Sequence, residues 1–109
     1  PFEHLPPIEL YINSDGGNLV DAFAVVNRIQ NSKYKFRSIV QGYAASAATI
    51  ISVVCDEKWM YENSLVLIHE LRTSIPYTKF ENVKQDVIFC EKLMNSISKI
   101  YLENTRMTR

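Results

Sequence analysis

The chain has 109 residues, 47% of them apolar and 22% charged, the balance of a folded globular domain or part of a larger one. Twelve basic residues offset twelve acidic ones, so charge directs the chain neither to nucleic acid nor to an anionic membrane surface. Two well-separated cysteines, Cys55 and Cys90, read as small hydrophobes in a reducing compartment, and no Cys/His cluster suggests a metal.

The opening stretch, PFEHLPPIEL, lacks the basic start and apolar run of a signal peptide. The longest apolar-rich run, Ala44 to Cys55, is shorter than the roughly 20 residues that span a bilayer. No membrane association is expected, and the cytoplasm is the expected compartment.

IELYIN (residues 8–13) alternates apolar and polar side chains as a strand does, and SDGG (14–17) breaks it. Asn18 is a candidate cap for a helix running to about Ser32, with Val20, Phe23, Ala24, Asn27 and Ile29 on its apolar face. FRSIVQG predicts a second strand ending at Gly42. Ala45 to Val54 is a run of small and apolar residues, expected to be a closely packed helix. EKWMYENSLVLIHE then predicts strand pieces around a turn at Glu62–Ser64, with LVLIH the clearest. From Phe80 to about Asn104, Val83, Val87, Cys90, Met94, Ile97 and Tyr101 form a helical stripe. Strand and helix alternate throughout, which predicts an α/β domain with a mainly parallel sheet.

In such sheets ligands gather at the carboxyl ends of the strands, where SDGG, GYAAS and His69 all fall. Ser46 would sit at a helix start, near unpaired N–H groups that favour negative charge, and this suits a nucleophile whose attack creates an oxyanion. Equally, a serine among alanines can be a packing residue or a local cap. His69 alone reads as structural or solvent-facing; together with Ser46 it can take the hydroxyl proton and later return it to a leaving group. Gly16 and Gly17 either aim backbone N–H groups at a ligand or make a tight turn. His4, in a polar, proline-rich stretch, is incidental. Phosphate-loop patterns are absent.

YINSDGG, then GYAASAA with its serine 29 residues beyond Gly17, then LVLIHEL with its histidine 23 residues beyond Ser46, resembles the proteolytic subunit of the Clp protease. The similarity covers nearly the whole chain and is closest to phage-encoded members. It implies a ClpP/crotonase-like fold, with residues 1–109 as a single domain, incomplete at both ends, and residues 80–104 as a protruding handle helix. It also implies a serine endopeptidase without a cofactor, with Ser46 as nucleophile, His69 as general base, and the backbone N–H groups of Gly17 and Ala47 as the oxyanion hole. Gly16, Leu71 and Arg72 would contact substrate. Expected partners are further copies of the subunit in two stacked heptameric rings, an AAA+ unfoldase and unfolded polypeptides.

The family pattern is not matched everywhere. Asp15 stands where the family usually has proline, and RTSIPYTKF (72–80) lacks the usual glycines. The aspartate that orients the histidine would fall past Arg109, and neither Asp56 nor Asp86 matches it. The pore-shaping N-terminal segment would precede Pro1. The chain therefore reads as the central piece of a longer subunit. The competing readings are a non-catalytic ring subunit or scaffold, an acyl-CoA hydratase-type protein that needs no Ser/His pair, and a Ser/Lys peptidase, for which no lysine lies at a matching strand end.

Overall fold

The computed structural model describes residues 4–68 and 80–106 of the chain. The chain forms two compact units, Pro1–His69 and Glu70–Arg109. In the first, β1 (Ile8–Ser14), α1 (Leu19–Gln30), β2 (Phe36–Ala45), α2 (Ala47–Val53), β3 (Glu57–Met60) and β4 (Leu65–Leu67) follow in order; the described helix of the second is α3 (Phe80–Asn104).

β2 is the axis of a four-stranded parallel sheet, with β1 on one side. On the other side β3 pairs with its first half, from Arg37↔Glu57 to Val40↔Met60. β4 pairs with its second half, from Tyr43↔Leu65 to Ala45↔Leu67. The turn between β3 and β4 is closed at Tyr61, whose carbonyl accepts from the Ser64 amide at 3.2 Å and the Ser64 hydroxyl at 2.6 Å.

β2 is longer than the sequence pattern suggests, because Gly42 does not end it. The β1–β2 register slips there, from Ile12↔Val40 to Ser14↔Ala44, which is a bulge on β2. The Asn13 amide fills the gap, its Oδ1 accepting from the Tyr43 N–H at 3.1 Å. A Cβ on residue 42 would lie 2.8 Å from that oxygen, so glycine there makes room for it. α2 correspondingly begins at Ala47 rather than Ala45.

Asn18 caps α1 as expected, its Oδ1 accepting from the Asp21 N–H at 3.0 Å. The buried face of α1 is Ala22, Val26 and Ile29; of the expected stripe Ile29 lies on it, while Val20, Ala24 and Asn27 are exposed and Phe23 is half-buried. Small residues are needed where α1 meets α2, and Val40, Ala44 and Ala48 form the core with Ile12 against them. At the far end of α2 the buried hydroxyls of Ser38 and Ser52 lie 2.9 Å apart, and Ser38 Oγ also donates to the Ser52 carbonyl at 3.2 Å. Helix and central strand are thereby stapled.

One sheet face carries an ionic ladder across three strands. Arg37 of β2 bonds Glu9 of β1 at 3.1 Å and Glu57 of β3 at 2.8 Å, and its guanidinium stands 4.0 Å over the Trp59 ring. These hydrogen bonds, that to Glu57 first, raise the Arg37 pKa further. Along α3 the expected stripe runs from exposed Val87 through half-buried Cys90 and Met94 to buried Ile97 and Tyr101. Cys55 is buried as expected; Cys90 is not, and both are free thiols. No described helix is long and apolar enough to cross a membrane.

Candidate active site

Two of the motifs meet at the carboxyl ends of the strands. Ser46 is the single residue between β2 and α2, and the turn it makes is sharp: φ 55° and ψ −120°. Among the described residues it is the one non-glycine with positive φ. Holding a serine there costs about 1–3 kcal/mol, so the surroundings must impose it.

They do so from three sides. The Ser46 N–H donates to the Leu67 carbonyl at 3.1 Å, extending the β2–β4 ladder by one bond past the end of β2. The Ser46 carbonyl accepts from the Thr49 N–H at 3.0 Å and from the Thr49 hydroxyl at 2.6 Å. Against the side chain stands Gly16, with φ 106°. A Cβ built there would fall 2.9 Å from the Ser46 Cβ, 2.9 Å from the Ala45 carbonyl oxygen and 3.4 Å from the Ala47 nitrogen. Only glycine fits that conformation and that gap. The SDGG turn is further set by Ser14, whose hydroxyl accepts from the Gly16 N–H at 3.1 Å.

The Ser46 hydroxyl forms no capping bond to α2, which removes the local-cap reading. The residue is half-buried amid buried Ala44, Ala45, Ala47 and Ala48. Ala47 opens α2 and carries one of the N–H groups that a helix cannot pair internally. Beside this turn lies a cleft of about 410 Å³ between α1 and α2, whose lining includes Ile12, Gly16, Gly17, Ala22, Ala47 and Ile51. A cavity of about 720 Å³ lies where β2 begins, lined by Leu10, Ile29, Tyr34 and Phe36 among others, and holds none of the three motifs.

The structure thus brings Ser46, Ala47, Gly16 and Gly17 together. His69, Leu71 and Arg72 lie outside the described residues. β4 ends at Leu67, whose carbonyl accepts from the Ser46 N–H and which lies two residues before His69 in the sequence. His4 is exposed and remote in sequence from these motifs. Cys55 is no rival nucleophile: burial, with Asp56 adding to it, pushes its thiol up to about 11, away from the reactive thiolate. Among the described residues no group of three or more His, Cys, Asp or Glu could hold a metal ion. Sequence reasoning missed Thr49, although a hydroxyl three residues after a helix-capping position is a legible signal.

A family model described as Clp protease matches residues 3–109. The chain belongs to the Clp protease family. It is similar to an ATP-dependent Clp protease proteolytic subunit 2 of Treponema denticola, 32% identical over 101 residues that make up 91% of this chain and 50% of that one. The corresponding subunit of Streptococcus mutans is 40% identical over 65 residues, 58% of this chain and 33% of that one. Among solved structures, a mutant ClpP1 of Listeria monocytogenes superposes with a TM-score of 0.82 at 19% identity, over 94% of this chain and 56% of that chain. The ClpP-like α/β fold expected from the sequence is therefore the fold found. The chain spans half or less of the length of these curated relatives.

Proposed function

We propose that the protein containing this chain is the proteolytic subunit of a Clp-type protease, a serine endopeptidase that cleaves unfolded polypeptides. The observation that carries this reading is the strained serine between β2 and α2, pressed against a glycine turn and bonded to the strand that leads to His69. Strain of this kind persists where a side chain must be presented at a fixed angle.

In the proposed reaction, His69 takes the hydroxyl proton as Ser46 Oγ attacks the scissile carbonyl. The N–H groups of Gly17 and Ala47 receive the resulting oxyanion; one such donor is worth about 10²–10³ in rate in known acyl-transfer enzymes. Collapse breaks the C–N bond, and His69 returns its proton to the departing amine. Water, deprotonated by His69, then cleaves the acyl-Ser46 ester. Gly16, Leu71 and Arg72 are the proposed substrate contacts, and the cleft between α1 and α2 is open to a substrate side chain. An aspartate beyond Arg109 would hold the imidazole tautomer, and without it activity falls by about 10⁴.

Residues 1–109 would form one ClpP-like domain with α3 as its handle, where Val87, Ile88 and Phe89 present 41%, 48% and 53% of their surfaces for subunits to cover. Two stacked heptameric rings in the cytoplasm, fed by an AAA+ unfoldase, complete the proposal. The second reading is a non-catalytic ring subunit, favoured by Asp15, a carboxylate one residue before Gly16. Hydrolysis of an unfolded polypeptide by the full-length protein separates the two. Ser46→Ala and His69→Ala should each lower it by about 10⁴ or more. Undiminished hydrolysis in either variant contradicts the proposed roles.

A further inference from the structure

We propose that Thr49 is a positioning residue, which aims the Ala47 N–H through the Ser46 peptide group. The inference rests on Ser46 as nucleophile and Ala47 as oxyanion donor. A trans peptide is planar, so the carbonyl of Ser46 and the N–H of Ala47 point in opposite directions from one rigid unit. Whatever holds the carbonyl aims the N–H.

That carbonyl is held twice, by the Thr49 N–H at 3.0 Å and by the Thr49 hydroxyl at 2.6 Å. Any residue supplies the first bond; only a hydroxyl side chain supplies the second. Thr49 has no exposed surface, so water does not compete for the contact. β-branching restricts χ1, and Thr49 takes the helical rotamer in which its hydroxyl meets the carbonyl three residues back. The preceding peptide is fixed independently by the bond from the Ser46 N–H to Leu67. Both peptide groups flanking the strained residue are therefore tied down, one to β4 and one to α2. The far end of α2 is anchored in turn by the Ser38–Ser52 hydroxyl pair. Thr49 thus couples a rigidly held helix to the donor that meets the oxyanion.

Because the oxyanion exists only in the transition state, loosening this donor acts on kcat and leaves KM nearly unchanged. The test is Thr49→Val, which keeps shape and loses the hydroxyl, beside Thr49→Ser, which keeps the hydroxyl, both in the full-length protein. Steady-state peptide hydrolysis, thermal melting and amide hydrogen exchange at Ala47 and residue 49 are measured together, with the Ser46 amide, held by Leu67, as internal reference. Thr49→Val is expected to lower kcat about three- to tenfold, the loss of one hydrogen bond, with KM within about twofold. Exchange of the residue-49 amide, which donates to the same Ser46 carbonyl, should quicken after correction for its intrinsic rate, and Thr49→Ser should recover most of kcat. A folded Thr49→Val protein with wild-type kcat overturns the proposal, as does a kcat loss no larger than the unfolded fraction. If instead the parent protein shows no hydrolysis and no reaction at Ser46, the nucleophile reading has failed. Amide exchange then decides on Thr49 alone: unchanged protection in Thr49→Val refutes its role.

Discussion

Adding one methyl group at Gly16 should damage both the fold and the chemistry. The Cβ of Gly16→Ala would stand 2.9 Å from the Ala45 carbonyl oxygen and 2.9 Å from the Ser46 Cβ. Ordinary carbon contacts begin near 3.5 Å, and neither neighbour can swing away. Ala45 closes a ladder with Leu67, and Ser46 is bonded to Leu67 and Thr49. To the clash is added the positive φ of 106°, which alanine disfavours. Backbone strain contributes about 1–3 kcal/mol and overpacking about 1–3 kcal/mol. The sum, about 2–6 kcal/mol, is a large share of the 5–15 kcal/mol that holds a typical domain together. Relief by displacing the Ser46 turn would misplace the nucleophile, and about 1 Å of misplacement costs on the order of 100-fold in rate. Urea unfolding and the rate of modification by a fluorophosphonate measure the two effects on one sample. Gly17→Ala is the control, since nothing lies within 4 Å of a Cβ built there. It should lose less stability than Gly16→Ala. Gly16→Ala with wild-type stability and wild-type labelling would refute the close packing of the two turns.

Ser46→Gly should relieve the positive-φ strain and raise stability by about 1 kcal/mol while abolishing hydrolysis, a trade of stability against activity that denaturant melts and a peptidase assay would reveal. A Ser46→Gly protein less stable than its parent contradicts the strain assigned to that residue. For Cys55, burial lifts the folded pKa to about 11, above the ordinary thiol value of 9.0, so its contribution is complete below about pH 9 and fades as pH rises toward 11. The difference in unfolding free energy between the parent and Cys55→Ala should therefore shrink across that window; a constant difference would mean that the thiol is not held away from water.

Much of this was legible because the chemistry lies at strand ends that the hydrophobic pattern marks. IELYIN and SLVLIH mark β1 and β4, SDGG leads out of β1, and GYAAS carries β2 to its end just before Ser46. The extent of β2 was not legible. Gly42, Ala44 and Ala45 disfavour strands by intrinsic propensity, yet Asn13 fills the space beside Gly42, and Ala44 and Ala45 lie buried beneath the helices. The face of α1 was ambiguous for a different reason. LVDAFAVVNRIQ contains two stripes at helical spacing, and close approach to α2 selects the one that carries Ala22. Strain at Ser46 is not readable from sequence, since it arises from the tertiary ties to Leu67 and Gly16. The pairing of Ser46 with His69 rests on motif spacing, as His69 lies outside the described residues.

The most direct test of the account is reaction of the full-length, assembled protein with a fluorophosphonate, followed by mass-spectrometric mapping of the adduct. The account predicts a single adduct on Ser46, lost in Ser46→Ala and strongly slowed in His69→Ala. An assembled protein that stays unmodified, or that carries the adduct on another residue, would contradict it.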